Sequence, residues 1–250
     1  MPHLLVVDWD FFFATPTAGA PLGSRPDLYA WPVAEDAVHV EAIWLKRART
    51  FIKAGVPLPL CKGYEGFWDR FKIASDATLF YADSNAWAGQ LFPSNVGGEG
   101  PWESVHLYDA HHDCGYKQNH RSFEDWKAKG VISAENWLLA HLWNGSKAFV
   151  HFPPWRESMS RPTEQPLIPV NMTIDDGFTA PAVAFDAVFV CRSGAWVPSW
   201  CDQQFSDFLT ACPAARQVEI PQNQWTQPRP DVLRMLDLER HRNIALSRKQ

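Results

Sequence analysis

Several things are scarce in this chain of 250 residues, and each scarcity removes a class of protein. It has five cysteines, Cys61, Cys114, Cys191, Cys201 and Cys212, an odd and widely spaced set without a CxxC pair. That pattern speaks against a disulfide scaffold, a zinc knuckle or a redox dithiol, and a reducing, cytoplasmic setting is expected. No stretch approaches the roughly 18 to 20 uninterrupted apolar residues of a bilayer span. The opening MPHLLVVDWD reaches a carboxylate after four strongly apolar residues, so neither a signal peptide nor a membrane anchor is expected. Positive charge is also scarce, with 23 Lys and Arg against 28 Asp and Glu for a net charge of -5, which argues against nucleic-acid binding through bulk charge. Internal repeats, low-complexity tracts and long runs of like charge are missing as well.

Apolar and aromatic residues, by contrast, are plentiful at 46% and 14%, enough for a sizeable core, and the length suits a single domain spanning residues 1–250. Prolines cluster between Pro153 and Pro169 and between Pro221 and Pro230, and mark loops.

Residues 3–8 (HLLVVD) form an apolar run ending in a carboxylate, as in a strand buried on both faces. Further strands are expected at 77–82, 105–108, 147–152 and 187–191, and the stretch from Trp9 to Pro32 reads as a long loop. Between Glu35 and Ala54 the residues Val38, Ala42, Leu45, Ala48 and Ile52 recur at helical spacing, with Gly55 just beyond. Other helices are expected at about 86–91 (capped by Asp83-Ser84-Asn85), 133–143, 200–211 and 231–246. Strands alternating with helices predict an α/β fold, a mainly parallel sheet flanked by helices. Ligands of such sheets lie outside the carboxyl ends of the strands, where Asp8, Asp83, Asp109 and Arg192 fall.

The sharpest local pattern is Asp109-Ala110-His111-His112-Asp113, directly after an apolar strand. If the extended conformation continues, Asp109, His111 and Asp113 share one side, and His112 points to the other. Two carboxylates and an imidazole converging on a point suit a divalent cation, which offsets the repulsion between the anions. Asp8-Trp9-Asp10 repeats the theme at the end of the first strand, among Val6, Val7, Phe11, Phe12 and Phe13, where an unpaired carboxylate is costly. The alternative for both motifs is a solvated polar loop.

DAHHD resembles the DAHxD signature of the arginase and agmatinase (ureohydrolase) superfamily, whose α/β three-layer fold is shared with histone-deacetylase-like enzymes. Asp8-Trp9-Asp10 resembles that superfamily's second DxD element. The chain is also similar to a branch of the group carrying D-x-D-F-F and E-N-W elements, here Asp8 to Phe12 and Glu135-Asn136-Trp137. The resemblance rests on these short motifs and the strand-helix rhythm. It implies a bound divalent metal, one or two ions, of manganese or else zinc or iron, with Asp8, Asp10, Asp109, His111 and Asp113 as ligands. The order of the two motifs is reversed relative to the family, which implies a circularly permuted sheet. Asn85 stands where the family has a histidine ligand, which puts one of the two metal positions in question. No acidic residue matches the one that clamps a guanidinium group, which weighs against arginine as substrate.

The expected reaction is hydrolysis of a C–N bond (amide, amidine or guanidino type) in a small-molecule substrate by a metal-activated hydroxide, which Asp113 orients. His120 or Glu135 is the candidate proton donor to the leaving group. Substrate contacts are expected from Arg192, which suits a carboxylate or phosphate, from Trp196 and from Asn85. His141 and His151 read as core or strand-end residues, His151 being also a candidate for a missing ligand. A homo-oligomer is compatible with the apolar 231–246 segment. Two other readings stand beside this one. His111-His112-Asp113 with His151 or His241 matches the ligand types of a non-heme iron oxygenase. A scaffold that has lost catalysis and serves as a binding or regulatory module is the other.

Overall fold

The computed structural model describes residues 1–14, 37–55, 57–116, 132–159 and 165–220, with Arg234, Leu236 and Asp237 near the C-terminus. Among them run seven strands: β1 (His3–Asp8), β2 (Lys72–Ala82), β3 (Ser104–Tyr108), β4 (Lys147–Phe152), β5 (Asn171–Ile174), β6 (Ala184–Cys191) and β7 (Arg216–Glu219). The described residues also form the α-helices α1 (Ala37–Lys53), α2 (Leu138–Trp143) and α3 (Asp202–Ala211). The strands form one sheet in the order β5-β4-β3-β1-β6-β2-β7, and every pairing is parallel.

The central strand is β1. Leu4, Leu5, Val6 and Val7 are fully buried, which parallel strands covered on both faces require. Their side chains alternate between two cores. Leu5 and Val7 join Trp44 and Ala48 of α1 and Phe205, Phe208 and Leu209 of α3. Leu4 and Val6 join Trp102, Leu107, Trp137 and Leu138 on the opposite face. Helices therefore cover both faces of the sheet, as the alternation of strands and helices predicts. At about 1.5–3 kcal/mol for each such aliphatic side chain, burial of β1 alone anchors the middle of the fold.

Several boundaries differ from expectation for local reasons. Trp9–Phe12 is a turn of 3-10 helix, not open loop, because the Asp8 side chain accepts the Asp10 N–H and the three phenylalanine rings are buried. The segment after β2 is likewise 3-10 helix, Asn85–Gln90, with Ser84 capping the Ala86 N–H. Residues 134–137 are turn, and α2 begins only at Leu138. Strands β5 and β7 went unforeseen, being edge strands of four exposed residues each. Most of the 231–246 segment lies outside the described residues. None of the described helices is long and apolar enough to cross a membrane.

The strand order decides where a site falls. From β1 the chain leaves toward β2 on one side, whereas from β3 it leaves toward β4 on the other. The crevice between the carboxyl ends of β1 and β3 is thus the topological switch point, where parallel α/β sheets bind ligands. Val7 pairs with Tyr108 in the β1/β3 ladder, so Asp8 and Asp109 emerge side by side.

Candidate metal centre

Asp8, Asp10, Asp109, His111 and Asp113 all lie in that crevice, and none is more than 6% exposed. The Asp10 carboxylate spans the seam: its Oδ1 accepts the Ala110 N–H at 3.2 Å, and its Oδ2 lies 2.9 Å from His111 Nδ1. Asp109 Oδ1 accepts the His111 N–H at 2.7 Å and is 3.4 Å from the imidazole Nδ1. The two motifs predicted to meet therefore do meet, although a hundred residues separate Asp10 from Ala110.

They converge by a different route from the one their spacing suggests. β3 ends at Tyr108, and residues 109–113 do not continue as strand. Asp113 adopts a left-handed backbone with φ 47°, a conformation that L side chains adopt at a cost and that clusters at functional sites. That reversal turns its carboxylate back toward Asp8 and Asp109. Two overlapping sets of ligand atoms result: Asp10, Asp109 and His111 lie mutually within 4.8 Å, and so do Asp8, Asp109 and Asp113. Asp109 belongs to both.

The electrostatics are those of a site built for cations. Like charges about 4 Å apart repel by about 4 kcal/mol at an effective dielectric of about 20. Burial, reinforced by the charges of Asp10 and Asp113, pushes the Asp8 carboxyl well above its ordinary pKa. Asp109 is raised in the same way, by burial and then by Asp113, Asp10 and Asp8. Asp113 is pushed up to about 6 by burial, against the opposing pull of the His111 charge and the Trp137 hydrogen bond. Burial disfavours a charged His111, but the adjacent Asp10 carboxylate outweighs it, and the imidazole is raised. Asp10 Oδ2 is buried, and among the described residues its near neighbour is His111 Nδ1 at 2.9 Å. A cation bound between the buried carboxylates would offset their mutual repulsion, so the donor set fits a divalent metal.

A second layer of residues holds the ligands. Asn85 Nδ2 donates to Asp8 Oδ2 at 2.6 Å and to Asp113 Oδ2 at 2.8 Å, with Asp109 Oδ2 at 3.3 Å. Trp137 Nε1 donates to Asp113 Oδ2 at 2.6 Å, and the Leu138 N–H donates to the Asp113 carbonyl at 3.1 Å. The side chain of Ser193, another left-handed residue at φ 53°, hydrogen-bonds Asp8. Trp137 and Ser193 have no metal-ligating chemistry of their own, so motif spacing gave no sign of their part. The E-N-W segment contained the tryptophan without indicating where its indole pointed.

The other candidates divide. Trp196 lies against His111, ring centroids 4.6 Å apart, held by its N–H to the Ser193 carbonyl and walling one side of the centre. Arg192 is committed elsewhere: its Nε lies 3.2 Å from Asp83 and its Nη2 lies 3.6 Å from Asp202, tying the end of β6 to β2 and α3. His112 faces away from the ligands, as expected, with its Nδ1 accepting the Cys114 N–H at 3.1 Å and its ring on Tyr116. Glu135 is exposed in the turn before α2, where its carbonyl accepts the Gly115 N–H. His141 is a core residue, bonded through Nε2 to the Ala88 carbonyl at 2.8 Å. His151 supplies no ligand to either set, since its contacts run to His106 at 3.3 Å and Thr173 at 3.4 Å. The iron-oxygenase reading therefore lacks that third ligand, and His120 and His241 lie outside the described residues. All five cysteines are buried, and none forms a disulfide.

Comparison of the chain with protein-family models, with curated proteins and with solved structures finds no match.

Proposed function

We propose that this protein is a metal-dependent hydrolase that cleaves a C–N bond in a small substrate. The observation that carries the reading is the pair of buried ligand sets sharing Asp109 at the switch point of a parallel sheet. The resemblance of DAHHD and DWD to the ureohydrolase motifs supports the C–N class; the geometry supports the metal.

A divalent ion held there would lower the pKa of a bound water and polarise the electrophile. Asp10, Asp109 and His111 are the ligands best placed to hold it. Asp113 is suited to orient the attacking water, since Asn85 and Trp137 fix one of its oxygens and leave the other to accept. Its raised pKa suits a group that takes up a proton near neutral pH. Trp196, packed against His111, is placed to shield that side of the centre from bulk water. Manganese is the first choice of metal for this oxygen-rich set with one imidazole, with zinc and iron next.

The test is elemental analysis of the purified protein after removal of adventitious ions and reloading, followed by a screen of amides, amidines and guanidino compounds for ammonia or amine release. Metal retention and turnover in wild type, both lost in His111→Ala, support the reading. A folded protein that never retains metal refutes it and leaves a binding scaffold.

A further inference from the structure

The two ligand sets are not equivalent, because a neutral side chain already stands in one of them. Asn85 Nδ2 touches the three carboxylates of the Asp8, Asp109 and Asp113 set and takes the position of a cation among them. Asn85 is 4% exposed, and its Oδ1 is buried without accepting a hydrogen bond. The carboxylates alone therefore set the orientation of the amide, turning its positive end inward even though its carbonyl oxygen goes unpaired. A buried acceptor left unpaired costs about 1–3 kcal/mol, so the carboxylates must return more than that.

The other set is filled differently. His111 Nδ1 stands beside Asp10 and Asp109, and an imidazole nitrogen has a lone pair in the ring plane that a metal can take. A carboxamide nitrogen has no free lone pair to offer. One set thus adds a nitrogen ligand to its two carboxylates, whereas the other is occupied by a fixed donor.

We propose that Asn85 permanently replaces one cation, so that this protein binds a single divalent ion, at Asp10, Asp109 and His111. The inference rests on the metal reading above and narrows it: Asp8 and Asp113 are partners of Asn85, and only one ion serves the reaction. The Asp83-Ser84-Asn85 turn delivers this donor from the end of β2 across the end of β6, with Ser84 capping the helix that begins at Asn85.

The experiment uses the full chain loaded with Mn(II), with stoichiometry measured by elemental analysis after gel filtration and the spin state by electron paramagnetic resonance. Wild type is expected to retain one equivalent with the spectrum of an isolated ion. Asp8→Asn is expected to keep that ion, and His111→Ala to lose it. Asn85→Asp, or Asn85→Ala should the aspartate variant fail to fold, is expected to bind a second equivalent and show a spin-coupled pair. Two equivalents in wild type, or a coupled spectrum, overturn the inference while leaving the metal reading intact. One equivalent in wild type that does not rise in a folded Asn85 variant also overturns it. No bound metal in wild type means instead that the metal reading itself has failed.

Discussion

His111 Nδ1 lies 2.9 Å from Asp10 Oδ2, a contact made across the seam between β1 and β3 by residues far apart in the sequence. It exists because the two strands are parallel neighbours in register, so that the turn after each one leaves the sheet at the same level. The same seam brings four buried carboxylates together, and their mutual repulsion is a strain on the metal-free fold.

Removing one of those charges should therefore stabilise the metal-free protein while destroying the metal site. Asp109→Asn keeps the shape and an oxygen to accept the His111 N–H. Because the folded-state pKa of Asp109 is raised, its carboxylate costs stability as pH climbs above the unfolded value near 3.9. The melting temperature of Asp109→Asn without metal should equal that of wild type below pH 4 and exceed it as pH rises, by about 2–4 °C for each kcal/mol relieved. Added Mn(II) should raise the wild-type value and leave the variant unmoved. A variant that melts lower than wild type at pH 8 without metal would contradict the repulsion argument.

A single donor to Asp113 offers a second test. Trp137→Phe preserves the packing of a fully buried ring but removes the 2.6 Å hydrogen bond to Asp113 Oδ2. Loss of a hydrogen bond to a charged group costs about 1.5–3 kcal/mol. Asp113 is linked through Asn85 to Asp109, which holds the ion. Groups that support metal ligands from behind typically change affinity by about 10–100-fold, so a shift at the lower end of that range is expected in a metal titration by calorimetry. Unchanged affinity and stability together would mean that the indole fills space and does not position Asp113.

The contrast between what could and could not be read from the sequence follows from burial. The strands at 3–8, 77–82, 105–108, 147–152 and 187–191 declare themselves through apolar runs, because a parallel strand covered on both faces needs them. NMTI and RQVE at the sheet edges carry no such signature, since every residue in them is exposed. Sheet order is a property of pairing, and nothing local to β1 or β6 says that β6 will insert between β1 and β2. The carboxylate motifs were legible as chemistry, but the backbone reversal at Asp113 was not, because it needs a left-handed residue that no glycine marks. Arg192 looked like a substrate anchor beside a pocket, and its commitment to Asp83 and Asp202 depends on the distant arrival of α3.

Acid should weaken the fold through histidines that are buried without charge, and His141 isolates the effect. Burial lowers its pKa to about 4, while the Ala88 hydrogen bond opposes that shift only in part. A folded-state pKa below the unfolded value of about 6.5 means stability that is complete above pH 6.5 and is lost as pH falls toward 4. His141→Gln keeps a donor for the Ala88 carbonyl and removes the titration. Urea melts should find the variant gaining on wild type only below pH 6.5, by up to about 3 kcal/mol near pH 4. A difference that is independent of pH would show that the imidazole does not charge on unfolding.

The closest packing near the centre supplies the last prediction. Gly89 lies in the 3-10 segment that starts at Asn85, and a Cβ built there would stand 2.9 Å from Ile132 Cγ2, 3.0 Å from Trp137 Cβ and 3.1 Å from the Trp137 carbonyl oxygen. The backbone oxygen cannot swing aside as a side chain can, so Gly89→Ala must push the 85–90 segment away from the 134–137 turn. Overpacking of this kind costs about 1–3 kcal/mol. The displacement separates Asn85 from Trp137, the two donors that converge on Asp113 Oδ2, and disturbs the Asn85 contact with the ligand Asp109, so affinity for the ion at Asp10, Asp109 and His111 should fall together with stability. Ala88→Gly, one residue earlier in the same segment, loosens the backbone without adding an atom. It should lower stability by about 1 kcal/mol or more, since Ala88 is fully buried, yet leave affinity nearly unchanged. Equal losses of affinity in the two variants would trace the effect to general loosening, and the close approach at Gly89 would then have no particular part in holding the site.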